Sequence, residues 1–402
     1  MIKLEASFKI VTPLFMSGAD KERAELRAAS IRGVLRFWWR ALALGHYGTW
    51  QEVRKAEFNL FGSSSGGQSR VHLSLKVLRQ SDEKCKPGGH LKDGLNNYLW
   101  PGLRYLGYGA IQPELRPHLD SPVHGALKLY LRPSAKKIDP EMEADLLEEA
   151  IMAMGLLGGL GSRSRRGFGS FNLLELKRDG MTRYPKNKED YLDSLSQIYE
   201  KHAIELSDVP DYTAFSQDSR AYILKKGKDP LELLDEIGEE MQMYRSWGQD
   251  KGGGYMVGDK PAEQNFKDDH DNMRNAFFAP AIEHPRRVAF GLPHNYHFTK
   301  LNRNLTVLPE KHERRSSPLF LHIHELSNCD YVAVASIFPT KFLPPDECIL
   351  IQPKDGKEQT LPIKHDWFKE LIIFVEGAHK ITGLKRFPDL KTIWPKPKVV
   401  SK

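Results

Sequence analysis

The sequence predicts an α+β protein in which residues 1–180 form a ferredoxin-like (split βαβ, RRM-like) domain and residues 181–402 hold a helical insertion followed by a second domain of similar type. In the first half, the spacing of apolar side chains indicates the order strand, helix, strand, strand, helix, strand, which is the split βαβ arrangement. A glycine-rich loop lies between the second of these helices and the fourth strand. In the second half, helical segments precede several short strand-like runs.

The first-half elements follow from period-two and period-3.6 patterns bounded by Pro, Gly and capping residues. The expected elements are a strand at 2–11, a helix at 31–44 capped by Ser30 and ended by Gly45, strands at 71–78 and 126–132, a helix from Asp139 to about Met154 and a strand at 171–176. Residues 57–69 are expected to form a loop of small residues, and 81–119 a long irregular insertion. RNA-recognition domains share this element order, but their aromatic-rich strand pattern is absent from these strands.

The second-half pattern is weaker. It predicts amphipathic helices at 191–199 and 231–244 and a mobile, glycine-containing loop at 248–271. Strand-like runs follow at 287–290, 319–324, 331–335 and 371–375.

The positive charge of the chain is concentrated in its first half. The 402 residues have a net charge of +7, and residues 1–180 contain 27 Lys and Arg against 19 Asp and Glu, while the remainder contains 32 against 33. This asymmetry predicts a polyanionic partner for the first domain. The three cysteines, widely separated, indicate neither a disulfide framework nor a paired zinc site, and we expect a cytoplasmic protein without a signal segment or membrane contact.

The glycine-rich loop at 155–170 is the most informative stretch. It connects a helix to the strand that follows, whereas dinucleotide-binding folds place their glycines between a strand and the next helix, so a nucleotide-binding loop is not predicted. Glycines let another chain approach the backbone closely, and Arg163, Arg165 and Arg166 supply positive charge. We therefore expect this loop to contact a phosphate backbone. A flexible connector is the alternative.

The first helix carries a second basic feature. Arg32, Arg36 and Arg40 recur at steps of four and share one stripe, and no acidic residue stands three or four positions away on that face. The stripe is expected to bind phosphates, although an ordinary solvated basic face has the same pattern. Trp39 and Phe37 flank it, either to stack on bases or to pack in the core.

Other chemistry is not predicted. The acidic run 268–271 matches no calcium loop, and the histidines at 294, 297, 322 and 324 lack metal-site spacing, so no metal or cofactor is expected. For RNA cleavage, only His46 as a general acid or base and Asp20 as a positioning group come into question, and both are also compatible with ordinary polar loop residues.

Several motifs resemble the RAMP superfamily of CRISPR proteins and, within it, the subunit-one family of the Cmr (type III-B) effector complexes. The helix-then-glycine-loop order is typical of this superfamily. The motifs lie at residues 12–15, 25–27, 30–40, 60–63, 158–170 and 314–319.

The resemblance implies tandem ferredoxin-like domains in a non-catalytic subunit that binds single-stranded RNA, contacts the 3′ region of the guide, helps to capture the target and docks on other Cmr subunits. A metal-independent endoribonuclease acting through His46 and a scaffold that binds only neighbouring subunits remain alternatives. The predicted RNA-binding residues are Arg27, Arg32, Arg36, Trp38, Trp39, Arg40, Gly62, Ser63, Gly159, Gly161, Arg163, Arg165, Arg166, Gly167 and Gly169.

Overall fold

A computed structural model of the chain describes residues 1–64, 67–78, 91, 100–134, 139–184, 191–252, 254–326, 329–364 and 366–396. The first half contains β1 (Ile2–Ile10), α1 (Ala28–Tyr47), α2 (Trp50–Phe61), β2 (Val71–Leu78), α3 (Pro101–Leu106), β3 (Val123–Leu131), α4 (Pro140–Leu157), β4 (Phe171–Arg178) and β5 (Met181–Tyr184). Of the predicted insertion at 81–119, only residue 91 and residues 100–119 fall within the described part of the chain.

The second half begins with α5 (Tyr191–His202), β6 (Arg220–Gly227), α6 (Pro230–Arg245), β7 (Gln249–Asp250), β8 (Tyr255–Val257), β9 (Lys260–Pro261) and α7 (Lys267–Asn275). It continues with β10 (Gly291–Leu292), β11 (His294–Phe298), β12 (Arg303–Pro309), β13 (Arg315–Ser316), β14 (Leu319–Glu325), β15 (Tyr331–Ile337), β16 (Ile349–Pro353), β17 (Gln359–Leu361), α8 (Lys369–Glu376) and β18 (Lys391–Trp394).

Two antiparallel sheets organise the molecule, which confirms a mixed α and β architecture. The first has the strand order β2-β3-β1-β4-β5 and the second the order β14-β15-β6-β18. In the first sheet β1 lies between β3 and β4, and in the second sheet β6 lies between β15 and β18. The earliest strand of each sheet is therefore an inner strand. A further four-stranded sheet, β11-β12-β16-β17, and two smaller ones complete the second half.

The boundaries of α1 differ from those predicted. Arg27 rather than Ser30 precedes the helix, and the helix continues through Gly45 to end at Gly48, whose φ is +74°. Glycine inside a helix costs only about 1 kcal/mol, so packing of the buried face readily overrides it. At the start of α4 the prediction holds, because Asp139 accepts a 3.0 Å hydrogen bond from the backbone N–H of Glu141 and Pro140 opens the helix.

Several second-half predictions are wrong. Residues 371–375 lie in helix α8 and residues 287–290 in a short 3₁₀ segment, because brief apolar runs do not distinguish buried helix from strand. The predicted loop at 248–271 contains the small sheet β7-β8-β9 and the start of α7. In the first half, helix α2 occupies part of the predicted 57–69 loop.

The two halves share their cores. One apolar cluster joins Trp38 of α1 to Phe320 and Phe338 of the second half, and a second cluster joins Phe15 to Leu234 and Leu321. The start of β4 lies against the edge strand β14, where the Asn172 side chain donates to Ile323 O at 3.0 Å. Cys348 is a free thiol, whereas Cys329 is disulfide-bonded, which the sequence did not predict. Among the described helices, none has the length and apolarity that crossing a membrane requires.

Candidate nucleic-acid interface

The glycine-rich loop between α4 and β4 is held in place by the protein itself. The backbone N–H of Ser162 donates to Phe15 O at 2.7 Å, and that of Gly169 donates to Pro13 O at 2.9 Å. On its other side, Arg165 O accepts a 3.0 Å hydrogen bond from Leu321 N of β14. The loop therefore lies between the two halves of the chain and is not a free connector.

The glycines of this loop make room for the protein's own backbone. Gly161, Gly167 and Gly169 have φ of +78°, +84° and +62°, a region that other residues rarely adopt. A Cβ at Gly169 would lie 2.2 Å from Leu160 O, and one at Gly161 would lie 2.5 Å from Phe15 O. Gly159 is buried, and its Cβ would meet Phe168 O at 3.0 Å. These glycines are thus required by contacts within the fold, and RNA contact at their backbone stays a prediction.

Two of the three loop arginines are directed into the protein. Arg165 Nη1 donates to Ser317 O at 2.7 Å, and its guanidinium lies 4.5 Å from the centroid of the Phe320 ring. Arg166 donates to the sulfur of Met241 at 3.2 Å. Burial lowers the pKa of each to about 10, so both remain protonated at neutral pH. These contacts hold the second half against the loop, and RNA binding by Arg165 and Arg166 stays a prediction.

Arg163 is the exposed arginine of the loop, and it belongs to a basic cavity. Arg116 and Arg314 line the same cavity of about 390 Å³, together with Tyr108 and Ser162. We call it the triple-arginine pocket. Within the described residues, none of these three guanidinium groups has a hydrogen-bonded or ion-paired partner. Burial, and then the charges of Arg314 and Arg116, lower the pKa of Arg163.

The arginine stripe on α1 is partly compensated by one carboxylate. Glu57 of α2, whose side chain is only 2% exposed, pairs with Arg36 Nε and lies 3.2 Å from Arg40 Nη1. The prediction that the stripe has no acidic partner is therefore wrong, because the partner is supplied by the next helix and not by α1. Arg32 is exposed and has no such partner among the described residues. Arg27, at the start of the helix, lies 3.4 Å from Glu25.

The remaining predicted residues make contacts within the fold, and RNA binding by them stays a prediction. Trp38 and Trp39 are each 1% exposed and pack in the core, so neither presents a face for stacking on a base. Gly62 ends α2 with φ +78°, and its carbonyl accepts a 3.4 Å hydrogen bond from Arg36. The neighbouring backbone N–H of Ser63 donates to Gly67 O at 3.2 Å.

The structure brings α1 and the loop together. A cleft of about 200 Å³ is lined by Gly33 and Phe37 of α1, by the loop residues Gly158, Gly159, Ser164 and Arg165, and by Phe320. Loop residues 162–165 thus line this cleft with Ser164 and Arg165 and the triple-arginine pocket with Ser162 and Arg163. Arg32, which is exposed, directly precedes Gly33 in the sequence.

The two candidate cleavage residues lie elsewhere. Asp20 is exposed and accepts a 2.9 Å hydrogen bond from the backbone N–H of Glu22. His46 faces His202, with ring centroids 5.6 Å apart, and burial followed by the charge of His202 lowers its pKa. Neither residue lines the pocket or the cleft.

Arg116 was missed because it lies in the insertion without a pattern. Arg314 was noted only as part of a motif that resembles a family. No local signal connects these two residues to Arg163, since they are separated from it by 47 and 151 positions along the chain.

Comparison with known proteins agrees with the resemblance stated from the sequence. Residues 7–172 match the model of the RAMP superfamily. The chain is 23% identical to the CRISPR system Cmr subunit Cmr1-1 of Pyrococcus furiosus over 369 residues, which cover 87% of this chain and 89% of the relative. It is 29% identical over 197 residues to Cmr1-2 of the same organism, covering 43% of this chain and 97% of the relative.

A solved structure shares the fold. The apo form of Cmr1 from Pyrococcus furiosus aligns with a TM-score of 0.55 and 18% identity, over 98% of this chain and 99% of the other. The resemblance to the RAMP superfamily and to Cmr subunit one is confirmed.

Proposed function

We propose that this chain, with its RAMP superfamily match and its similarity to Cmr subunit one, is a non-catalytic RNA-binding subunit of a CRISPR type III-B (Cmr) ribonucleoprotein complex. In this role it contacts the 3′ region of the guide RNA and captures target RNA for antiviral defence. The triple-arginine pocket holds phosphates of the bound single strand. The other Cmr subunits are its protein partners, as the name of the relative Cmr1-1 suggests.

The observation that carries this proposal is the meeting of Arg116, Arg163 and Arg314 in one cavity without an acidic partner among the described residues. Three guanidinium groups held close together repel one another, and a bound anion relieves that repulsion. Arginine also donates two parallel hydrogen bonds to a phosphate. A single phosphate or two adjacent ones on a nucleic-acid strand fit this arrangement.

The cleft beside Gly33 extends the proposed path of the strand. Because loop residues 162–165 form a wall of both cavities, RNA that leaves the pocket along the loop reaches the N-terminal half of α1 and the exposed Arg32. The contacts are with phosphates, so binding should depend on salt and little on sequence.

The two central sheets also support a domain proposal. We infer that residues 1–180, together with the adjoining strand β5 of the first sheet, form a ferredoxin-like RAMP domain, and that the rest of residues 181–402 adds helix α5 and a second ferredoxin-like domain, with β7 to β13 inserted after α6. The matching strand orders of the two sheets support this assignment. On this view the pocket lies at the boundary of the domains, since Arg163 comes from the first and Arg314 from the second.

The test is RNA binding by the full chain. We expect fluorescence anisotropy with a labelled single-stranded RNA of mixed sequence to show that Arg163→Ala/Arg314→Ala binds about 100-fold more weakly at low salt, because removing each arginine–phosphate interaction costs about 1.4 kcal/mol of binding free energy. The slope of log affinity against log salt should fall by about 1.4 in magnitude, or 0.7 for each phosphate that is no longer neutralised.

Arg274→Ala is the matched control, because Arg274 is an exposed arginine that lines neither cavity. Unchanged affinity in a folded double variant, or an equal decrease in the control, would refute the role of the pocket.

A second candidate function rests on His46. His46 is exposed and its ring lies 5.6 Å from that of the buried His202, so His46 is the imidazole that would reach RNA in a metal-independent endoribonuclease processing CRISPR RNA. Incubation of the protein with a labelled repeat RNA in the presence of EDTA tests it. Fragments that disappear in His46→Ala would favour the enzyme, and intact RNA would exclude it.

A further inference from the structure

Three helix segments bring together a cluster of side chains away from the RNA path. His46 lies in the last turn of α1, Glu149 on α4 and His202 at the end of α5. One ligand atom from each, two imidazole nitrogens and a carboxylate oxygen, lie within 4.8 Å of one another. None of the three lines the triple-arginine pocket or the cleft beside α1.

The glycine before His46 contributes to this proximity. A Cβ at Gly45 would stand 3.0 Å from Ile204 Cγ2 and 3.9 Å from His202 O. The absence of a side chain thus lets the end of α5 lie close to the last turn of α1. This contact accounts for a glycine that the sequence analysis took for a helix stop.

The polar atoms at the centre of the cluster are close but poorly bonded. His202 Nε2 and Glu149 Oε2 are 2.9 Å apart, and the His202 side chain is only 1% exposed. Both atoms are buried, yet neither makes a hydrogen bond of acceptable geometry. The two atoms are at ion-pair distance but lack the alignment of a hydrogen bond, and this arrangement also suits two ligands of a common ion.

We propose that His46, Glu149 and His202 bind a divalent transition-metal ion, with Zn²⁺ as the ion that this donor set favours. Two imidazoles and one carboxylate are a known zinc ligand set, whereas Ca²⁺ and Mg²⁺ require mostly oxygen ligands. His46 is exposed, so water can fill the fourth position. Lys201 pairs with Oε1 of Glu149, which leaves Oε2 for the metal.

A metal ion at this site would link three helices. The ion would tie α1 and α4 to the end of α5, the helix that leads from the first sheet toward β6. Bound metal would also occupy a nitrogen of His46, which removes this residue as a free acid or base. The proposal is independent of RNA binding at the arginines, and failure of one leaves the other standing.

The test uses the full chain carrying Cys348→Ser, so that the free thiol does not bind metal. After treatment with EDTA and dialysis, Zn²⁺ is titrated against a chromophoric chelator, and Co²⁺ is used as a spectroscopic probe. We expect one Zn²⁺ per chain and visible Co²⁺ absorption bands typical of four-coordination. His46→Gln should weaken binding at least tenfold, and His202→Ala should abolish it.

A folding control separates loss of the site from loss of the structure. Because His46 is exposed, His46→Gln should keep the metal-free melting temperature of the parent, and Zn²⁺ should raise the melting temperature of the parent but not that of the variant. His72→Ala, which removes an exposed histidine on β2, should bind Zn²⁺ like the parent. Absence of stoichiometric binding, or parental affinity in His46→Gln, would overturn the proposal.

Discussion

The basic stripe of α1 and the triple-arginine pocket each contain three arginines, but their surroundings differ. In the stripe, Arg36 and Arg40 share the buried carboxylate of Glu57. In the pocket, Arg116, Arg163 and Arg314 face one another, and no described acidic side chain pairs with them. The regular spacing that is visible in the sequence marks the partly compensated group, and the group without a sequence pattern has no described acidic partner.

The difference shows that charge compensation is a tertiary property. Whether an arginine attracts an external anion depends on which carboxylate the fold places beside it, and this carboxylate often comes from another element. Substitutions at Glu57, Arg165, Asp235 and Arg32 test the contrast between neutralised and free charges, and their expected effects decrease in that order.

Removing the carboxylate of Glu57 should leave the arginines of the stripe without an acidic partner, like those of the triple-arginine pocket. Glu57→Gln leaves Arg36 and Arg40 half-buried without their counter-charge, so the free energy of unfolding should fall by about 3 kcal/mol. At a temperature where the variant is folded, its affinity for single-stranded RNA should rise, because two cations become available. Urea unfolding and fluorescence anisotropy measure the two effects. A decrease of RNA affinity in the folded variant would contradict the contrast.

A substitution at Arg165 tests whether this loop arginine stabilises the fold and does not bind RNA. Arg165→Ala removes the hydrogen bond to Ser317 O and the contact with Phe320. The free energy of unfolding should decrease by about 2 kcal/mol, as for other hydrogen bonds made by charged groups. RNA affinity should change less than about twofold, which corresponds to about 0.4 kcal/mol of binding free energy. A decrease of affinity as large as that of an Arg163→Ala variant would place Arg165 at the RNA.

Asp235 of α6 extends the contrast to a buried anion without a cationic partner among the described residues. Its Oδ1 accepts a 2.8 Å hydrogen bond from Leu103 N, and burial raises its pKa from 3.8 to about 6. Because the folded state holds this proton more tightly than the unfolded state, stability is lost as the pH rises from about 3.8 to about 6, and it stays lower above pH 6. Asp235→Asn should therefore stabilise the chain by about 1–2 kcal/mol at pH 8.

The same substitution should have little effect near pH 4, where the carboxyl group is protonated in the folded chain. Urea unfolding at the two pH values measures the difference. A gain in stability that does not depend on pH would show that the charge of Asp235 is not the cause.

Arg32 should give the smallest effect. It is exposed and precedes the cleft residue Gly33 on α1, so Arg32→Ala should reduce RNA affinity about two- to threefold, equivalent to about 0.5 kcal/mol, and leave stability unchanged. Fluorescence anisotropy at low salt with Arg274→Ala as the reference measures it. A decrease above tenfold would make α1 and not the pocket the main RNA contact.

Local patterns in the sequence determined much of the first half. Alternation at 2–11 and 71–78 predicted β1 and β2 closely, and Asp139-Pro140 located the start of α4. These features depend on residues a few positions apart, whose side-chain directions and capping bonds are the same in most folds. Local patterns also explain why α8 was predicted as a strand. A short apolar run fits the helix period of 3.6 residues and the strand period of two.

The sequence alone determined that this protein is mixed α and β, that its first half is basic and that a glycine-rich loop links a helix to a strand. Which arginines are free was decided by tertiary contacts. Glu57 meets Arg36 through the packing of α2 on α1, Arg165 is buried by β14, and Arg116 meets Arg163 and Arg314 through contacts between segments far apart in sequence. Ion pairing depends on distances of a few ångströms in space, which no spacing along the chain reports.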